Sequence, residues 1–134
     1  MIVRVVAGVI RDAFGRVLID ERPPGKHMSG YWEFPGGKIA PGEGSEAALA
    51  RELSEELGVR LERCRPLLQL RHDYGDRTVE LDVLRVESYQ GVPQGLEGQA
   101  LKWVRVTELG SEALLPADWP IVEALVAESA TAAA

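Results

Sequence analysis

The spacing of apolar residues changes along the chain and divides it into strands and helices. Residues 2–10 are rich in Val and Ile and predict a buried strand, and residues 17–22 predict a second strand after a polar turn at residues 12–16. The same signals recur further on, in strands at residues 67–73, 78–87 and 101–106 and in a final helix at residues 120–128. No internal repeat and no second domain boundary interrupts this series, so the prediction is one domain over residues 1–134.

A helix is predicted at residues 46–57, where the apolar period becomes helical. Leu49, Leu53 and Leu57 recur every four residues and form a stripe that would dock the helix on the core. Ser45 has the side chain of a good N-cap, and Gly58 is placed to end the helix. Both signals favour a helix with sharp ends.

A short extended piece at residues 31–34 comes before this helix and is stopped by Pro35, Gly36 and Gly37. Because glycine lacks a Cβ, such a loop can bring backbone carbonyl and amide groups close to a ligand. The loop is therefore a candidate wall of a binding site.

Composition narrows the classes of function. The chain has 15 basic and 21 acidic residues, a formal charge of −6, which argues against a DNA- or RNA-binding protein. The apolar run at residues 2–10 is too short to span a membrane. Cys64 is the lone cysteine, so no internal disulfide can form, and a reducing cytoplasm is the expected location.

Three glutamates share one face of the predicted helix. Glu52, Glu55 and Glu56 stand at i, i+3 and i+4, point away from the leucine stripe and repel one another. A solvated acidic face is the plain interpretation of such a cluster. Mg²⁺ would remove the repulsion, because it prefers carboxylate and carbonyl oxygens. The glycine loop before the helix favours this second interpretation.

The loop and the helix together resemble the signature of the Nudix hydrolase family. The spacing G-x5-E-x7-R-E-U-x-E-E-x-G-U, with U aliphatic, is met at every fixed position, by Gly37, Glu43, Arg51, Glu52, Leu53, Glu55, Glu56, Gly58 and Val59. The resemblance implies an α/β fold in which a mixed β-sheet is sandwiched between α-helices, an α/β/α sandwich. It also implies that the signature forms a loop, a helix and a second loop.

The similarity is greatest to the MutT-type branch, which hydrolyses nucleoside triphosphates, notably oxidised guanine nucleotides. The matching stretches lie at residues 22, 27–28, 33–39, 76–77, 97–99 and 115–120. Residues that the resemblance assigns to nucleotide contact are Arg22, His27, Glu33, Phe34, Pro35 and Gly36. Taken without the resemblance, Arg22 and His27 could equally be surface residues, and Phe34 could be plain core.

The resemblance also assigns the metal ligands and the catalytic groups. The implied metal ligands are the Gly36 carbonyl and the carboxylates of Glu52, Glu55 and Glu56. Glu97, on a loop, binds metal or activates water in such enzymes, although alone it could be a solvated loop residue. Glu43 and Arg51 have a supporting role, with Arg51 joining the helix to its neighbouring loop. Either Glu52 or Glu97 is the expected general base.

One position departs from the MutT-type pattern. The turn that recognises the base usually offers asparagine where this chain has Asp118. An amide can donate to O6 and accept from N7–H of 8-oxoguanine, whereas an ionised aspartate only accepts and would suit the amino group of cytosine. A protonated Asp118 could still bind 8-oxoguanine, and burial favours protonation. If Asp118 is ionised, Asp118→Asn should raise the preference for 8-oxo-dGTP over CTP by roughly tenfold or more.

The sequence therefore predicts an enzyme that uses Mg²⁺, replaceable by Mn²⁺, to hydrolyse a nucleoside triphosphate to a monophosphate and pyrophosphate. The expected substrates are, in order, an oxidised purine triphosphate, a pyrimidine triphosphate such as CTP or 5-methyl-dCTP, and an ADP-ribose-type diphosphate. A Nudix-fold module without catalysis is the rival, but such modules typically lose signature residues and none is lost here. The expected partner is a small nucleotide, with no nucleic acid polymer and no membrane, in a monomer or homodimer.

Overall fold

Two β-sheets and two α-helices make up the fold of residues 1–133. The computed structural model describes residues 1–133, so residue 134 of the predicted domain lies outside it. The elements are β1 (Ile2–Val9), β2 (Val17–Glu21), β3 (Trp32–Glu33), β4 (Gly36–Lys38), α1 (Ser45–Leu57), β5 (Arg60–Asp73), β6 (Thr78–Gln90), β7 (Leu101–Val104) and α2 (Trp119–Ala133), with 3₁₀ turns at Val106–Ser111 and Pro116–Asp118. One sheet has the order β4-β1-β6-β5 and the other the order β3-β2-β7.

Alternate residues of β1 face two different cores, which explains why all of the strand except Arg4 is free of charged and polar side chains. Val6 packs in a buried cluster that contains Leu53 of α1, whereas Val9 packs in a second cluster that contains Leu125 of α2. Both faces of the strand are therefore covered, as expected of a central strand between helices. The predicted mixed sheet between helices is confirmed.

Strand β1 pairs in parallel with β6 and antiparallel with β4. The β4 contact requires glycine, because a Cβ on Gly36 would lie 1.9 Å from the carbonyl oxygen of Val6, and the φ of Gly36 is +155°. The sequence predicted only that residues 35–37 end an extended piece. They do end β3, but the chain then continues as β4 and holds this loop against the sheet.

Helix α1 presents the predicted apolar stripe. Leu49, Leu53 and Leu57 are fully buried, and Gly58 ends the helix in the left-handed conformation at φ 69°. The structure contradicts one prediction at the other end of the helix, because Ser45 is not the N-cap.

Gly44 occupies the N-cap position, and no side chain caps the helix there. Ser45 is instead the first helical residue, and its hydroxyl is hydrogen-bonded to the carboxylate of Asp82 on β6. A hydroxyl that binds a neighbouring strand is not available to the helix amides. The side chain of Ser45 therefore ties the helix to the sheet.

The strand predicted at residues 67–73 begins seven residues earlier in the structure. Strand β5 begins at Arg60, pairs with β6 only, and has register shifts around Arg63 and between Pro66 and Leu68. An edge strand can contain proline and many charged residues, since one side of its backbone is unpaired. Because of those residues, the apolar pattern did not predict the first half of the strand.

The last elements also differ from prediction at their ends. Strand β7 stops at Val104 rather than at residue 106, because a 3₁₀ turn begins at Val106. Helix α2 extends from Trp119 to Ala133, beyond the predicted residues 120–128. Within residues 1–133, no helix combines the length and the apolar character that a membrane crossing requires.

Candidate active site

A cleft of about 620 Å³ brings together most of the predicted site residues. The predicted residues that line it are Arg22, His27, Glu33, Phe34, Gly36, Glu52, Glu56 and Asp118. The remaining ones do not line it: Pro35 is buried, and Glu43, Arg51, Glu55 and Glu97 lie around it. Segments far apart in sequence thus meet at one concave surface.

The backbone of β4 is shaped to receive a carboxylate. A Cβ on Gly37 would lie 2.5–2.7 Å from the carboxyl atoms of Glu52, so any side chain there would displace that group. Glu52 is well covered, with its side chain 13% exposed, and its neighbour Glu56 is partly buried. Glycine at this position therefore allows Glu52 to lie directly against the strand.

Burial and negative charge act together on Glu56. Burial, then contact with Glu52 and the charges of Asp20 and Glu97, raise the pKa of Glu56 to about 9. Burial and the charges of Glu33 and Glu97 likewise raise the pKa of Asp20 to about 8. The Oδ1 atom of Asp20 is buried and has no hydrogen-bond partner. When these carboxyl groups are ionised, this part of the protein has an excess of negative charge, and the resulting repulsion helps to raise their pKa values.

That excess fits the divalent cation that the signature implies. Within residues 1–133, no three acidic, histidine or cysteine side chains already form a group that could hold a metal ion. Glu52 and Glu56 nevertheless line the cleft beside Gly36, and carboxylate and carbonyl oxygens are the ligands that Mg²⁺ prefers. A cation beside them would offset the neighbouring negative charges and so lower the pKa of Glu56.

Arg51 joins the helix to the preceding loop. Its Nε and Nη2 atoms donate to the two carboxylate oxygens of Glu43, both at 2.9 Å, and Nη2 also donates to the carbonyl of Lys38 at 3.0 Å. Its Nη1 donates to Glu52 at 2.9 Å and lies 3.5 Å from Glu55. The hydrogen bond from Arg51 lowers the pKa of Glu43 to about 2. One guanidinium thus fixes the loop and orients Glu52.

Glu55 is the most exposed of the three helix glutamates, with its side chain 57% exposed. It does not line the cleft, and it forms an ion pair with Arg51. The resemblance assigned it to the metal, and in this structure it stands at the outer side of the cluster.

The loop that carries Glu97 is attached to the end of helix α1. The backbone amides of Gln94 and Leu96 donate to the carbonyls of Leu57 and Glu56, at 3.0 and 3.1 Å. Gln99, which is 9% exposed, donates to the Glu56 carbonyl at 3.1 Å and accepts from the Glu97 amide at 2.9 Å. These bonds keep Glu97 close enough to influence the pKa of Glu56.

Arg22 organises the wall that holds His27 and Glu33. Its Nη1 donates to the Glu33 carboxylate at 2.9 Å, and its Nε donates to the backbone carbonyl of His27 at 2.6 Å. Burial raises the pKa of Glu33, and the charge of Arg22 opposes that rise. Arg22 therefore holds the loop between β2 and β3 against the cleft.

Asp118 lies in the 3₁₀ turn Pro116–Asp118 and is 5% exposed. Its Oδ2 accepts a hydrogen bond from the backbone amide of Phe34 at 3.1 Å. Burial raises the pKa of Asp118 to about 8, although that hydrogen bond lowers it. At neutral pH most of this carboxyl group is protonated and can donate a hydrogen bond.

Sequence reasoning missed three residues that shape the site. Asp20 follows three apolar residues, Val-Leu-Ile, in strand β2, and a charge after such a run was a usable signal. Gln99 was noted as part of a matching stretch without a role. Tyr74, which lines the cleft, had no sequence signal beyond its place between the strands predicted at residues 67–73 and 78–87.

A family model described as NUDIX domain matches residues 6–124. This range contains every candidate site residue named from the sequence.

Individual relatives match along nearly the whole chain. The 8-oxo-dGTP diphosphatase of Escherichia coli (strain K12) is 34% identical over 122 residues, which cover 91% of this chain and 95% of the relative. The CTP pyrophosphohydrolase of the same organism is 37% identical over 126 residues, covering 93% and 92%. The solution structure of the E. coli ORF135 protein superposes with a TM-score of 0.85 at 35% identity, covering 97% of this chain and 92% of that one.

Proposed function

This chain belongs to the NUDIX domain family and is an enzyme that acts on phosphoric anhydrides, and from that premise we propose that it hydrolyses nucleoside triphosphates to a nucleoside monophosphate and pyrophosphate. The preferred substrate is an oxidised purine nucleotide such as 8-oxo-dGTP, and the role is removal of damaged nucleotides from the precursor pool. The observation that carries the proposal is one cleft lined both by two signature glutamates, Glu52 and Glu56, and by the buried Asp118, which accepts a hydrogen bond from the Phe34 amide.

The charges around the cleft suit a phosphate chain. Glu52 and Glu56, with the Gly36 carbonyl and Glu55 beside them, would hold Mg²⁺ or Mn²⁺. When bound, the cation supplies charge neutralisation and a bound water of lowered pKa. Arg22, Lys26, Lys38 and Arg77 also line the cleft, and their side chains can neutralise the remaining phosphate charge.

A carboxylate of this chain accepts the proton of the attacking water. Glu52 has the position for this role, because it lies against Gly37 and is oriented by Arg51. Glu97 is the other candidate, because its loop is attached to the backbone of Glu56. The proton leaves the water as its oxygen bonds to an internal phosphorus, and the anhydride linkage between the α- and β-phosphates breaks to release the nucleoside monophosphate and pyrophosphate.

Base recognition is assigned to the turn at Asp118 and the backbone of Phe34. With its carboxyl group protonated, Asp118 can donate to the O6 atom of an oxidised purine, as the usual asparagine would. A CTP-type pyrimidine triphosphate is the second candidate substrate. It is favoured by the 37% identity to a CTP pyrophosphohydrolase and by an ionised Asp118.

The test is a panel of nucleotides ranked by kcat/KM, with pyrophosphate release as the readout for the triphosphates and AMP release as the readout for ADP-ribose. The panel contains 8-oxo-dGTP, dGTP, CTP, 5-methyl-dCTP and ADP-ribose, each with Mg²⁺, with Mn²⁺ and with EDTA. The proposal requires 8-oxo-dGTP to rank first and EDTA to abolish activity. CTP ranking first would select the second candidate, and ADP-ribose ranking first would reject both.

A further inference from the structure

Tyr74 stands between two walls of the cleft. It follows β5 directly, and its backbone amide donates to the Arg77 carbonyl at 2.8 Å across the hairpin that leads into β6. Its side chain is half-buried and lines the cleft. Tyr74 therefore belongs to the site, although it lies outside the Nudix signature and is not one of the charged groups described above.

The hydroxyl of Tyr74 holds the turn that carries Asp118. The Oη atom accepts a hydrogen bond from the backbone amide of Ala117 at 3.1 Å, and Ala117 is 4% exposed. Loss of the hydroxyl would therefore remove the acceptor that this largely covered amide has in the protein.

The same turn is attached to the opposite wall by two other hydrogen bonds. The amide of Leu115 donates to the Trp32 carbonyl at 3.0 Å, and the amide of Phe34 donates to Asp118 at 3.1 Å. The Tyr74 hydroxyl supplies the third attachment, from the β5–β6 hairpin. The position of Asp118 relative to Phe34 thus depends on both walls.

The ring of Tyr74 makes a separate set of contacts. It meets the His27 ring edge-to-face with centroids 5.8 Å apart, and the His72 ring with centroids 4.5 Å apart. His27 lies on the loop that Arg22 holds against the cleft. The hydroxyl and the ring of Tyr74 therefore support two different parts of the site.

We infer that Tyr74 is a specificity-determining positioning residue: its hydroxyl holds the Pro116–Asp118 turn in the position that recognises the base. The inference rests on the proposed function, because it requires a nucleotide base at this turn. Tyr74 would add a residue between β5 and β6 to the elements that recognise the base. Removal of its hydroxyl oxygen should therefore affect binding of the base and turnover to different extents.

The experiment compares three variants with the wild type. Tyr74→Phe removes only the hydroxyl, Tyr74→Leu also removes the ring, and Tyr89→Phe removes a tyrosine hydroxyl far from the cleft as the matched control. For each protein, kcat and KM are measured for 8-oxo-dGTP, dGTP and CTP, with thermal unfolding in parallel. Exchange of the Ala117 amide proton in wild type and Tyr74→Phe reports directly on the hydrogen bond.

In Tyr74→Phe we expect KM for the preferred nucleotide to rise about tenfold, as for one lost polar contact. The kcat at saturation should change less than about twofold, and the preference between bases should narrow by a similar tenfold factor. The Ala117 amide should exchange faster. Tyr74→Leu should raise KM further, and Tyr89→Phe should match wild type.

The result that overturns the inference is an active wild type with Tyr74→Phe unchanged in both KM and base preference. A fall in kcat with unchanged KM would overturn it equally, because the hydroxyl would then act on turnover. If the wild type hydrolyses no nucleotide of the panel, the proposed function fails instead, and the amide exchange of Ala117 still decides whether the hydroxyl holds the turn.

Discussion

The protonation of a single carboxyl group, that of Asp118, connects the structure to the choice of base. The sequence left two possibilities open, an ionised aspartate suited to cytosine and a protonated one able to bind 8-oxoguanine. Burial of Asp118 in the turn raises its pKa to about 8 and favours the protonated form at neutral pH. The sequence could name the position, but not its burial or its hydrogen bond from the Phe34 amide, which is 84 positions away in the chain.

The preference for 8-oxo-dGTP over CTP should therefore fall as pH rises through the pKa of Asp118. The measurement is the ratio of the two kcat/KM values between about pH 6.5 and 9, where Asp118 loses its proton. Asp118→Asn cannot titrate and should hold a constant ratio, close to wild type at low pH and about tenfold above it at high pH. A wild-type ratio that does not vary with pH would show that Asp118 does not contact the base.

A second residue-scale prediction concerns Glu56, the most perturbed of the signature glutamates. Glu56→Gln keeps the shape of the side chain but removes its charge, so turnover should fall by orders of magnitude while the melting temperature stays near wild type. A higher Mg²⁺ concentration should restore little of the lost turnover. Glu62→Gln, on the exposed start of β5, is the matched control and should leave turnover unchanged. Wild-type turnover of Glu56→Gln at limiting Mg²⁺ would remove Glu56 from the metal site.

At the scale of elements, helix α1 was predictable because one segment carries two separate patterns. The leucine stripe fixed which face is buried, and the glutamates fixed which face meets the cleft. Its start was not predictable, because the role of Ser45 depends on Asp82 in β6, a residue 37 positions away. Signals that act within one helix could be interpreted from the sequence, whereas a contact with a distant strand could not.

The two faces of α1 should separate stability from catalysis. Leu53→Ala removes most of a fully buried side chain and should lower the free energy of unfolding by about 2–5 kcal/mol. At a temperature where the variant is folded, its kcat should stay near wild type. Glu52→Gln should show the reverse pattern, with low turnover and little change in unfolding. An unchanged unfolding midpoint for Leu53→Ala would mean that another face of α1 is buried.

Loops and edge strands set the limit of prediction at this scale. The first half of β5 carries arginines and Pro66 along an edge, so its apolar pattern is too weak to mark a strand. Gln99 resembles any polar loop residue until the structure shows it bonded to both Glu56 and Glu97. In both cases the missing information is which backbone groups find partners elsewhere in the chain.

At the scale of the whole molecule, three buried carboxyl groups have pKa values raised into the range of about 8 to 9, those of Asp20, Glu56 and Asp118. In the unfolded chain the same groups titrate near their ordinary values, about 4. Between these pH values the native state binds more protons than the unfolded state, so the free energy of unfolding falls as pH rises. Below about pH 4 the opposite holds, because Glu43, whose pKa is lowered to about 2, loses its charged contact with Arg51.

In metal-free buffer the melting temperature should therefore be highest near about pH 5 and fall toward about pH 9. Mg²⁺ binds the native carboxylates only when they lose their protons, so its stabilising effect should grow with pH and oppose that fall. The measurement is thermal unfolding across this range with EDTA and with saturating Mg²⁺. Asp118→Asn should make the metal-free melting temperature less dependent on pH without reducing the increase in melting temperature that Mg²⁺ causes. Glu56→Gln should reduce that increase. A metal-free melting temperature that rises from about pH 5 to 9 would show that these carboxyl groups are ionised in the native protein.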